Sequence, residues 1–397
     1  MTLQFYGLFL TLCTLCSAQQ IKYFNTFKGG NVRNKIDATP PYSLYVSAQS
    51  DDNDVLKKVL ITTEDNQYAS LYVLKMKKLM QGSGLLQPFV INSTAYLSTD
   101  LSDLNTLHGF MYITTEKQLY DKSFLVIDVD QSQKISINRN FQPDSTIVFL
   151  NTVRSTTPIQ SSMFSGWLQS SDSSVSIYRG YPSDDKELID TQIFSNPVRT
   201  DLFKTQFIPN VEKFSLTLGI FYLKIHNDVS FLIEPSYFEL DGMSTSAYST
   251  TGFYMKAINQ IEKNITITCL RDTSYNGTTC GNWIGLLPES TGNVAFQEVD
   301  STQTFTCTIT PNDQIFPCKV GTIGQKIFIS SIGANGGEYF VQYYIYQDQR
   351  VYELDSTTAS SLPTVPVTTR GIRTTTKKFS AVTDFFVTVF MVVFLLL

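Results

Sequence analysis

The stretch Gly337-Glu338-Tyr339-Phe340-Val341-Gln342-Tyr343-Tyr344 places a glycine just before an alternating run led by aromatic residues. Two similar stretches occur earlier, His108-Gly109-Phe110-Met111-Tyr112-Ile113 and Thr251-Gly252-Phe253-Tyr254-Met255-Lys256. Aromatic and β-branched residues favour pleated, half-buried surfaces. The three similar stretches therefore predict three modules, each closed by one of these strands, with two modules as the alternative.

The rest of the chain also favours strands. Short alternating runs bounded by polar residues or Gly, Asn and Asp clusters recur from 20 to 349, without sustained helical periodicity. We predict an all-β protein of two or three antiparallel β-sandwiches, in which a helix over 71–80 is an alternative to a strand over 69–74. The predicted strands cover 42–47, 55–62, 69–74, 109–114, 124–128, 146–150, 175–179, 214–225, 252–258, 265–269, 305–309, 326–332 and 339–346.

Both ends of the sequence are apolar. The run 5–16 followed by Ser17 and Ala18 is typical of a secretory signal peptide cleaved after Ala18. The run 385–397 would form a helix of roughly 20 Å, shorter than a hydrocarbon core of about 30 Å. Small residues in the polar stretch before it indicate a glycosylphosphatidylinositol (GPI) attachment signal, with Gly371 and Ser380 as candidate attachment residues. A short tilted membrane helix is the alternative.

Composition divides the chain further. Residues 354–378 are rich in Ser, Thr and Pro and nearly free of aromatic residues, which predicts a disordered, O-glycosylated stalk. The predicted organisation is a signal peptide at 1–18, β-sandwich modules at 19–118, 119–258 and 259–353, the stalk at 354–378 and the hydrophobic GPI signal at 379–397.

The predicted mature chain keeps four cysteines, Cys269, Cys280, Cys307 and Cys318. An even number in an oxidising compartment predicts two disulfides. Sequential pairing would close two loops of similar size, and the nested and crossed pairings remain open. A zinc site is disfavoured because the spacings are not those of metal fingers and no histidine lies nearby.

Other motifs indicate a glycoprotein without a catalytic centre. N-glycosylation sequons begin at Asn92, Asn264 and Asn276. The only histidines, His108 and His226, are too far apart in sequence for a His-dependent triad or a multi-histidine metal site within one module. We predict no enzyme activity and no cofactor.

The net charge and the acidic motifs argue against a nucleic-acid partner and against a metal site. A net charge of −5 with interspersed signs gives no field for nucleic acid, so no nucleic-acid partner is expected. The acidic clusters at 51–54 and 184–185 are expected to be solvated loops. The alternation Asp128-Val129-Asp130 could hold calcium but lacks the EF-hand glycine and glutamate, so no metal site is predicted.

Trp283 is the candidate ligand contact. It lies in Gly281-Asn282-Trp283-Ile284-Gly285, just after Cys280, where its ring could stand in an exposed loop. A core position in a strand is the alternative.

Two stretches resemble CUB domains. Ser171 to Tyr181, which contains Val175-Ser176-Ile177-Tyr178-Arg179-Gly180, is followed by Thr251-Gly252-Phe253-Tyr254. With the signal peptide, stalk and anchor, the chain is similar to the secreted CUB-like proteins of nematodes. The resemblance implies a jelly-roll-like sandwich, sequential disulfides and a role in epithelial innate defence. Arg179 stands where calcium-binding members carry Asp, which argues against calcium.

Together these observations predict a GPI-anchored glycoprotein on the outer face of the plasma membrane, with shedding as an alternative. It would act as a recognition module for an extracellular protein or carbohydrate ligand, or as a surface coat. The alternatives are a secreted carboxylate-dependent hydrolase and a purely structural matrix or cuticle component.

Overall fold

The structure is a computed structural model. It describes residues 19–79, 83–130, 132–138, 144–152, 160–182, 192–199, 205–236, 242–246, 249–257, 260–261, 263–269, 279–286, 293–299, 304–309, 316–318, 326–332 and 338–347. For the strands between 279 and 318 only the backbone is described. The chain divides into two units, Met1–Tyr352 and Glu353–Leu397, and every described residue lies in the first. The predicted stalk and GPI signal lie outside the described residues.

The described chain is built almost entirely of β-strands. In chain order these are β1 Gln20–Tyr23, β2 Asn34–Lys35, β3 Tyr42–Ala48, β4 Val59–Thr63, β5 Tyr68–Ser70, β6 Phe89–Ile91, β7 Ala95–Thr99, β8 Gly109–Ile113, β9 Phe124–Asp128, β10 Gln133–Ile137, β11 Asp144–Leu150, β12 Ser161–Gln169, β13 Ser174–Arg179, β14 Gln192–Asn196, β15 Val198–Arg199, β16 Thr205–Gln206, β17 Asn210–Val211, β18 Phe214–Leu216, β19 Ile220–His226, β20 Val229–Ser236, β21 Met243–Ser246, β22 Thr250–Lys256, β23 Ile265–Cys269, β24 Thr279–Leu286, β25 Asn293–Val299, β26 Thr304–Ile309, β27 Phe316–Cys318, β28 Lys326–Ile332 and β29 Tyr339–Gln347. The all-β prediction is confirmed.

The helices in the described residues are short. They are α1 Asn53–Leu56, α2 Leu71–Met76 and α3 Glu116–Tyr120, with 3₁₀ turns at Phe24–Thr26 and Ser50–Asp52. The hydroxyl of Ser70 caps α2 by accepting a hydrogen bond from the backbone of Val73, at 3.3 Å. The strand predicted over 69–74 is therefore wrong beyond Ser70, where the alternative helix forms instead.

The described strands form six sheets of four or five strands. Sheet 1 has the order β1-β8-β3-β6, sheet 2 β2-β7-β4-β5, sheet 3 β14-β13-β19-β11-β9, sheet 4 β10-β20-β12-β18, sheet 5 β17-β22-β29-β24-β27 and sheet 6 β21-β23-β28-β25-β26. Strands β15 and β16 form a separate two-stranded ribbon. Most neighbours are antiparallel, whereas β9 with β11, β17 with β22 and β21 with β23 run parallel.

The three similar glycine–aromatic stretches of the sequence correspond to β8, β22 and β29, and these strands do not each close a separate module. β8 lies in sheet 1, but β22 and β29 are direct antiparallel neighbours in sheet 5, where Gly252 faces Tyr343. The prediction of a separate closing role is wrong for the last two stretches because they pair with one another.

In the described residues, three large apolar clusters pack the sheets against one another. The first lies between sheets 1 and 2 and includes Leu44, Ile61 and Leu97. The second joins sheets 3 and 4 through Phe149 and Phe164, and Phe253 of β22 also belongs to it.

The third cluster joins the opposite face of sheet 1 to sheet 3. It contains Tyr45, Phe110 and Tyr112 of sheet 1 and Val148 and Tyr222 of sheet 3. Sheets 1 and 3 are therefore covered on both faces, whereas sheet 2 has a face that no described element covers.

Candidate functional site

The predicted sequons fall on exposed backbone where the structure describes them. Asn92 is exposed in the link between β6 and β7, and Asn264 is exposed just before β23. The Ser93 hydroxyl, next to Asn92, donates a hydrogen bond to the Asp65 carboxylate at 2.7 Å, which fixes this link against the β4–β5 turn. Asn276 lies outside the described residues. Modification of these asparagines stays a prediction.

The four cysteines are described by their backbone alone. Cys269 and Cys307 belong to β23 and β26 of sheet 6, and Cys280 and Cys318 to β24 and β27 of sheet 5. Both the sequential and the nested pairing would link sheet 6 to sheet 5. The disulfides stay a prediction.

The remaining predicted site residues are not brought together by any described contact. Trp283 lies inside β24, opposite Cys318 in register, so the loop position expected for it is wrong and its role as a ligand contact stays a prediction. Gly371 and Ser380 lie outside the described residues.

The open face of sheet 2 carries two tyrosines that line up across the strands. We call this surface the tyrosine face. It consists of two rows, Lys35-Tyr96-Thr62-Tyr68 and Ser98-Leu60-Ser70, each defined by directly paired residues of neighbouring strands. Side chains alternate along β4 and β7, and Val59, Ile61, Ala95 and Leu97 point inward. The residues of the two rows therefore point outward.

Contacts around Tyr96 fix the centre of the tyrosine face. The Arg33 guanidinium lies 3.8 Å from the centre of the Tyr96 ring, a cation–π contact. The Tyr96 hydroxyl donates a hydrogen bond to the Glu64 carboxylate at 3.0 Å, and this hydrogen bond raises the pKa of Tyr96. Tyr68, by contrast, is 78% exposed.

A shallow concavity borders the row that contains Leu60. Its volume is about 320 Å³, and it is lined by Asn31, Lys57, Lys58, Leu60, Ser98, Thr99 and Asp100. The Lys57 ammonium contacts Asp54 at 2.8 Å and also lies over the Tyr72 ring. The concavity combines cations, hydroxyls and an amide beside an apolar side chain.

Sequence reasoning missed this surface. The period-two pattern Ala95-Tyr96-Leu97-Ser98-Thr99 could have predicted β7, because its apolar positions alternate with Tyr and Ser. Which residues would share the outward rows depends on the pairing of β7 with β4, which the pattern does not contain.

A second polar group is buried where sheets 1 and 3 meet. Asp128 at the end of β9 is 3% exposed, and the Ser47 hydroxyl of β3 donates a hydrogen bond to its Oδ1 at 3.2 Å. The Lys78 ammonium lies 3.9 Å from Asp128 Oδ2 and 3.5 Å from Asp130 Oδ2. Burial raises the pKa of Asp128 to about 7, against the opposing effect of Lys78.

The contacts of Lys78 with Asp128 and Asp130 argue against the calcium hypothesis for Asp128-Val129-Asp130. The Lys78 ammonium approaches both carboxylates, so the chain itself supplies the positive charge there. Within the described residues, no cluster of three His, Cys, Asp or Glu side chains is placed to hold a metal ion.

The acidic loop at 51–54 has local partners. Asp52 accepts a hydrogen bond from the backbone of His108 at 3.0 Å, and Asp54 pairs with Lys57 on the surface. The acidic residues 184–185 lie outside the described residues.

The strands and the open aromatic sheet face define the class as an all-β protein, with glycosylation sequons at exposed residues. The model of the transmembrane glycoprotein family matches residues 39–394, so the chain belongs to that family. No curated protein matches the chain. In the part of the chain that the structure describes, no helix has the length and hydrophobicity needed to cross a bilayer.

The family match corrects the CUB-like interpretation. The chain belongs to the transmembrane glycoproteins, not to the secreted CUB-like proteins of nematodes. The motif residues also have structural roles of their own. Arg179 of β13 forms an ion pair with Glu338 at 3.2 Å, and Gly252 gives room to the ring of Tyr343 across the sheet.

Proposed function

We propose that this chain is a membrane-tethered glycoprotein that recognises an extracellular ligand through the tyrosine face. The observation that carries the proposal is the open outer face of sheet 2, on which exposed Tyr68 stands in line with Tyr96. Aromatic rings with a polar edge are favoured at binding surfaces because they bury a large area at little conformational cost. Recognition without turnover is part of the proposal, and a carboxylate-dependent hydrolase is its rival.

We propose that the molecule consists of tandem two-sheet modules. Sheets 1 and 2 use strands between 20 and 113, and sheets 3 and 4 use strands between 124 and 236. Sheets 5 and 6 use the later strands, together with β17. This assignment of strands to pairs of sheets supports three modules. The boundary between the second and third modules would lie between β20 and β21, before the predicted position at 258. The stalk at 354–378 would then hold the modules away from the membrane.

The proposed tether is a GPI anchor in the region 371–397. Small residues followed by an apolar segment support it. The description of the family as transmembrane supports the alternative, in which the apolar segment remains in the bilayer as a helix. A role in epithelial innate defence rested on the CUB-like resemblance and is not proposed.

Phospholipase treatment of intact cells tests the tether. Cells producing the full chain with an epitope tag after Ala18 are treated with phosphatidylinositol-specific phospholipase C. We expect release of tagged protein into the medium, and N-glycosidase should lower its apparent mass. Retention at the cell surface would favour a membrane helix, and absence from the surface would contradict display altogether.

Array binding tests recognition. The released protein is applied to glycan and extracellular-protein arrays beside a Tyr68→Ala variant and the matched surface control Tyr120→Ala, a tyrosine that is 69% exposed on α3. We expect a ligand whose signal is lost only with Tyr68→Ala. A signal that is equal for all three proteins would contradict the tyrosine face as the recognition surface.

A further inference from the structure

We propose that the ligand of the tyrosine face is an acidic carbohydrate, one that carries carboxylate or sulfate groups. This inference rests on the proposed recognition function and names the chemical class of its ligand. It depends on three properties of the face: the placement of its rings, its hydroxyl groups and its unpaired cations.

The rings are placed for stacking. Tyr96 and Tyr68 flank Thr62 in one row, so about two strand spacings, roughly 10 Å, separate their backbones. The apolar faces of sugar rings pack on aromatic rings, and Tyr68 is exposed enough to offer its face. Arg33 covers part of Tyr96 and brings a positive charge to the same point. An oligosaccharide lying along the row would therefore contact Tyr68 and Arg33 together.

Hydroxyl groups occupy the positions between the rings. Thr62 lies between the two tyrosines, and Ser70 and Ser98 flank Leu60 in the neighbouring row. Hydroxyls both donate and accept hydrogen bonds, which suits the many hydroxyls of a sugar. The surface thus alternates apolar and hydroxyl groups, as a carbohydrate does.

The cations decide the charge of the ligand. Among the described residues, Arg33, Lys35 and Lys58 form no ion pair with a carboxylate, whereas Lys57 is paired with Asp54. Lys35 lies on the tyrosine face, Arg33 lies over the ring of Tyr96 and Lys58 lines the concavity, although the whole chain has a net charge of −5. Unpaired arginine and lysine are the groups that bind carboxylate and sulfate. A neutral sugar would leave these three charges unused.

The concavity offers a binding position for one end of the oligosaccharide. Lys58 and Asn31 line it beside Ser98, so an acidic group bound there would meet a cation and an amide. Asp100 also lines the concavity and would disfavour an acidic group placed next to it.

The test measures binding of labelled oligosaccharides to the full chain by fluorescence anisotropy. The probes are a sulfated heparin hexasaccharide, uncharged chitohexaose and a single-stranded thymidine oligonucleotide of similar charge. The variants are Tyr68→Ala and Lys58→Ala, and the matched controls are Tyr120→Ala and Lys134→Ala, an exposed lysine in β10.

We expect the heparin hexasaccharide to bind and chitohexaose to bind at least about tenfold more weakly. Tyr68→Ala and Lys58→Ala should each weaken heparin binding by about tenfold or more, while the controls leave it unchanged. Because surface charges are screened, affinity should fall as sodium chloride rises from about 50 to about 300 mM.

Other results would overturn the inference. Equal binding of chitohexaose would make the site a neutral-sugar site and would leave the recognition function standing. Equal binding of the oligonucleotide would indicate charge attraction alone. If the array ligand also ignores Tyr68→Ala, the recognition function itself fails.

Discussion

Asp128 is a carboxyl group that the fold buries between two sheets. Its Oδ2 makes no hydrogen bond within the described residues, and the nearest cation, Lys78, lies 3.9 Å away. Lys75 and Asp130 are the other charged groups that act on it, with opposite effects on its pKa. The chain therefore holds a group that gains or loses a proton close to neutral pH.

Stability should consequently depend on pH through Asp128. Its pKa in the folded protein, about 7, lies above the unfolded value near 3.8. The stabilisation from its proton is then fully present below the unfolded pKa and is lost as the pH rises through about 7. Wild type should be about 2 kcal/mol more stable at about pH 5.5 than at about pH 8 from this group, as measured by urea unfolding.

Substitution isolates the effect. Asp128→Asn should remove this part of the pH dependence, because an amide cannot ionise. Asp130→Asn, which changes the neighbouring carboxylate at 34% side-chain exposure, should keep most of it. The same pH slope in wild type and Asp128→Asn would show that this carboxyl group is already ionised in the folded protein.

Gln342 is a second buried polar residue with a structural role. Its side-chain amide accepts a hydrogen bond from the Ser195 backbone at 3.0 Å and donates one to the Ser195 carbonyl at 2.7 Å. It also donates to the Thr251 hydroxyl at 3.1 Å. The side chain thereby joins β14 of sheet 3 to β29 of sheet 5.

Gln342→Leu should lower the free energy of unfolding by about 2 to 3 kcal/mol, because the volume is kept but buried backbone groups of Ser195 lose their partner. Chemical denaturation measures this change. Gln342→Ala should cost more, since it adds a cavity. A Leu variant as stable as wild type would show that the hydrogen bonds of Gln342 make no net contribution to stability.

At the scale of elements, the pairing of β22 with β29 depends on a missing side chain. A Cβ at Gly252 would overlap the ring and hydroxyl of Tyr343, its direct cross-strand partner. The Tyr343 hydroxyl donates a hydrogen bond to Glu212 at 2.5 Å, so the ring cannot turn away without losing that bond. The glycine thus lets two neighbouring strands pack an aromatic ring between them.

Gly252→Ala should therefore lower the free energy of unfolding by about 2 to 3 kcal/mol, through overpacking. Thermal unfolding monitored by circular dichroism measures the loss. The matched control is Gly219→Ala, whose Cβ would come no nearer than 3.3 Å to the Asn151 carbonyl and should cost much less. Equal costs for both variants would show that backbone freedom, not the Tyr343 ring, explains the glycine.

Element prediction succeeded where the side-chain pattern was complete. The strands at 124–128, 265–269 and 326–332 were predicted with their observed bounds, because β-branched and aromatic residues fill them. The strand predicted over 55–62 was wrong in its first half, where Asn53–Leu56 form a helix. The strand predicted over 214–225 is two strands, interrupted between Leu216 and Ile220.

Strand β12 was missed for a physical reason. Its sequence, Ser161 to Gln169, contains serines and Gly166, which has a positive φ of 58°. The register against β20 shifts at this point, as at a β-bulge. Cluster packing of Phe164 and Trp167 stabilises the strand despite its weak local preference.

At the scale of the whole molecule, sheets 1 and 3 share a buried junction. Within sheet 3, Tyr222 stacks on its cross-strand partner Tyr178 at 4.8 Å between ring centres. Tyr112 of sheet 1 contacts Tyr181, which follows β13 of sheet 3, at 6.1 Å between ring centres. An apolar contact of this kind couples the first half of the described chain to the second, so we expect both to unfold together.

Tyr222→Ser tests the coupling. Tyr222 is fully buried at the junction, so the change removes apolar contacts from both sheets. Backbone hydrogen exchange should accelerate in β8 of sheet 1 as well as in β11 and β19 of sheet 3. Faster exchange confined to sheet 3 would mean that the two parts are stable independently of one another.

The sequence by itself determined the all-β class, because alternation and residue type act within each strand. It also identified the sequons at Asn92 and Asn264, which are local motifs. Only the tertiary structure decided which strands are neighbours, and so it alone aligned Tyr96 with Tyr68 and brought Lys78 to Asp128. The physical reason is that strand pairing and burial depend on contacts between distant residues, and no local pattern contains them.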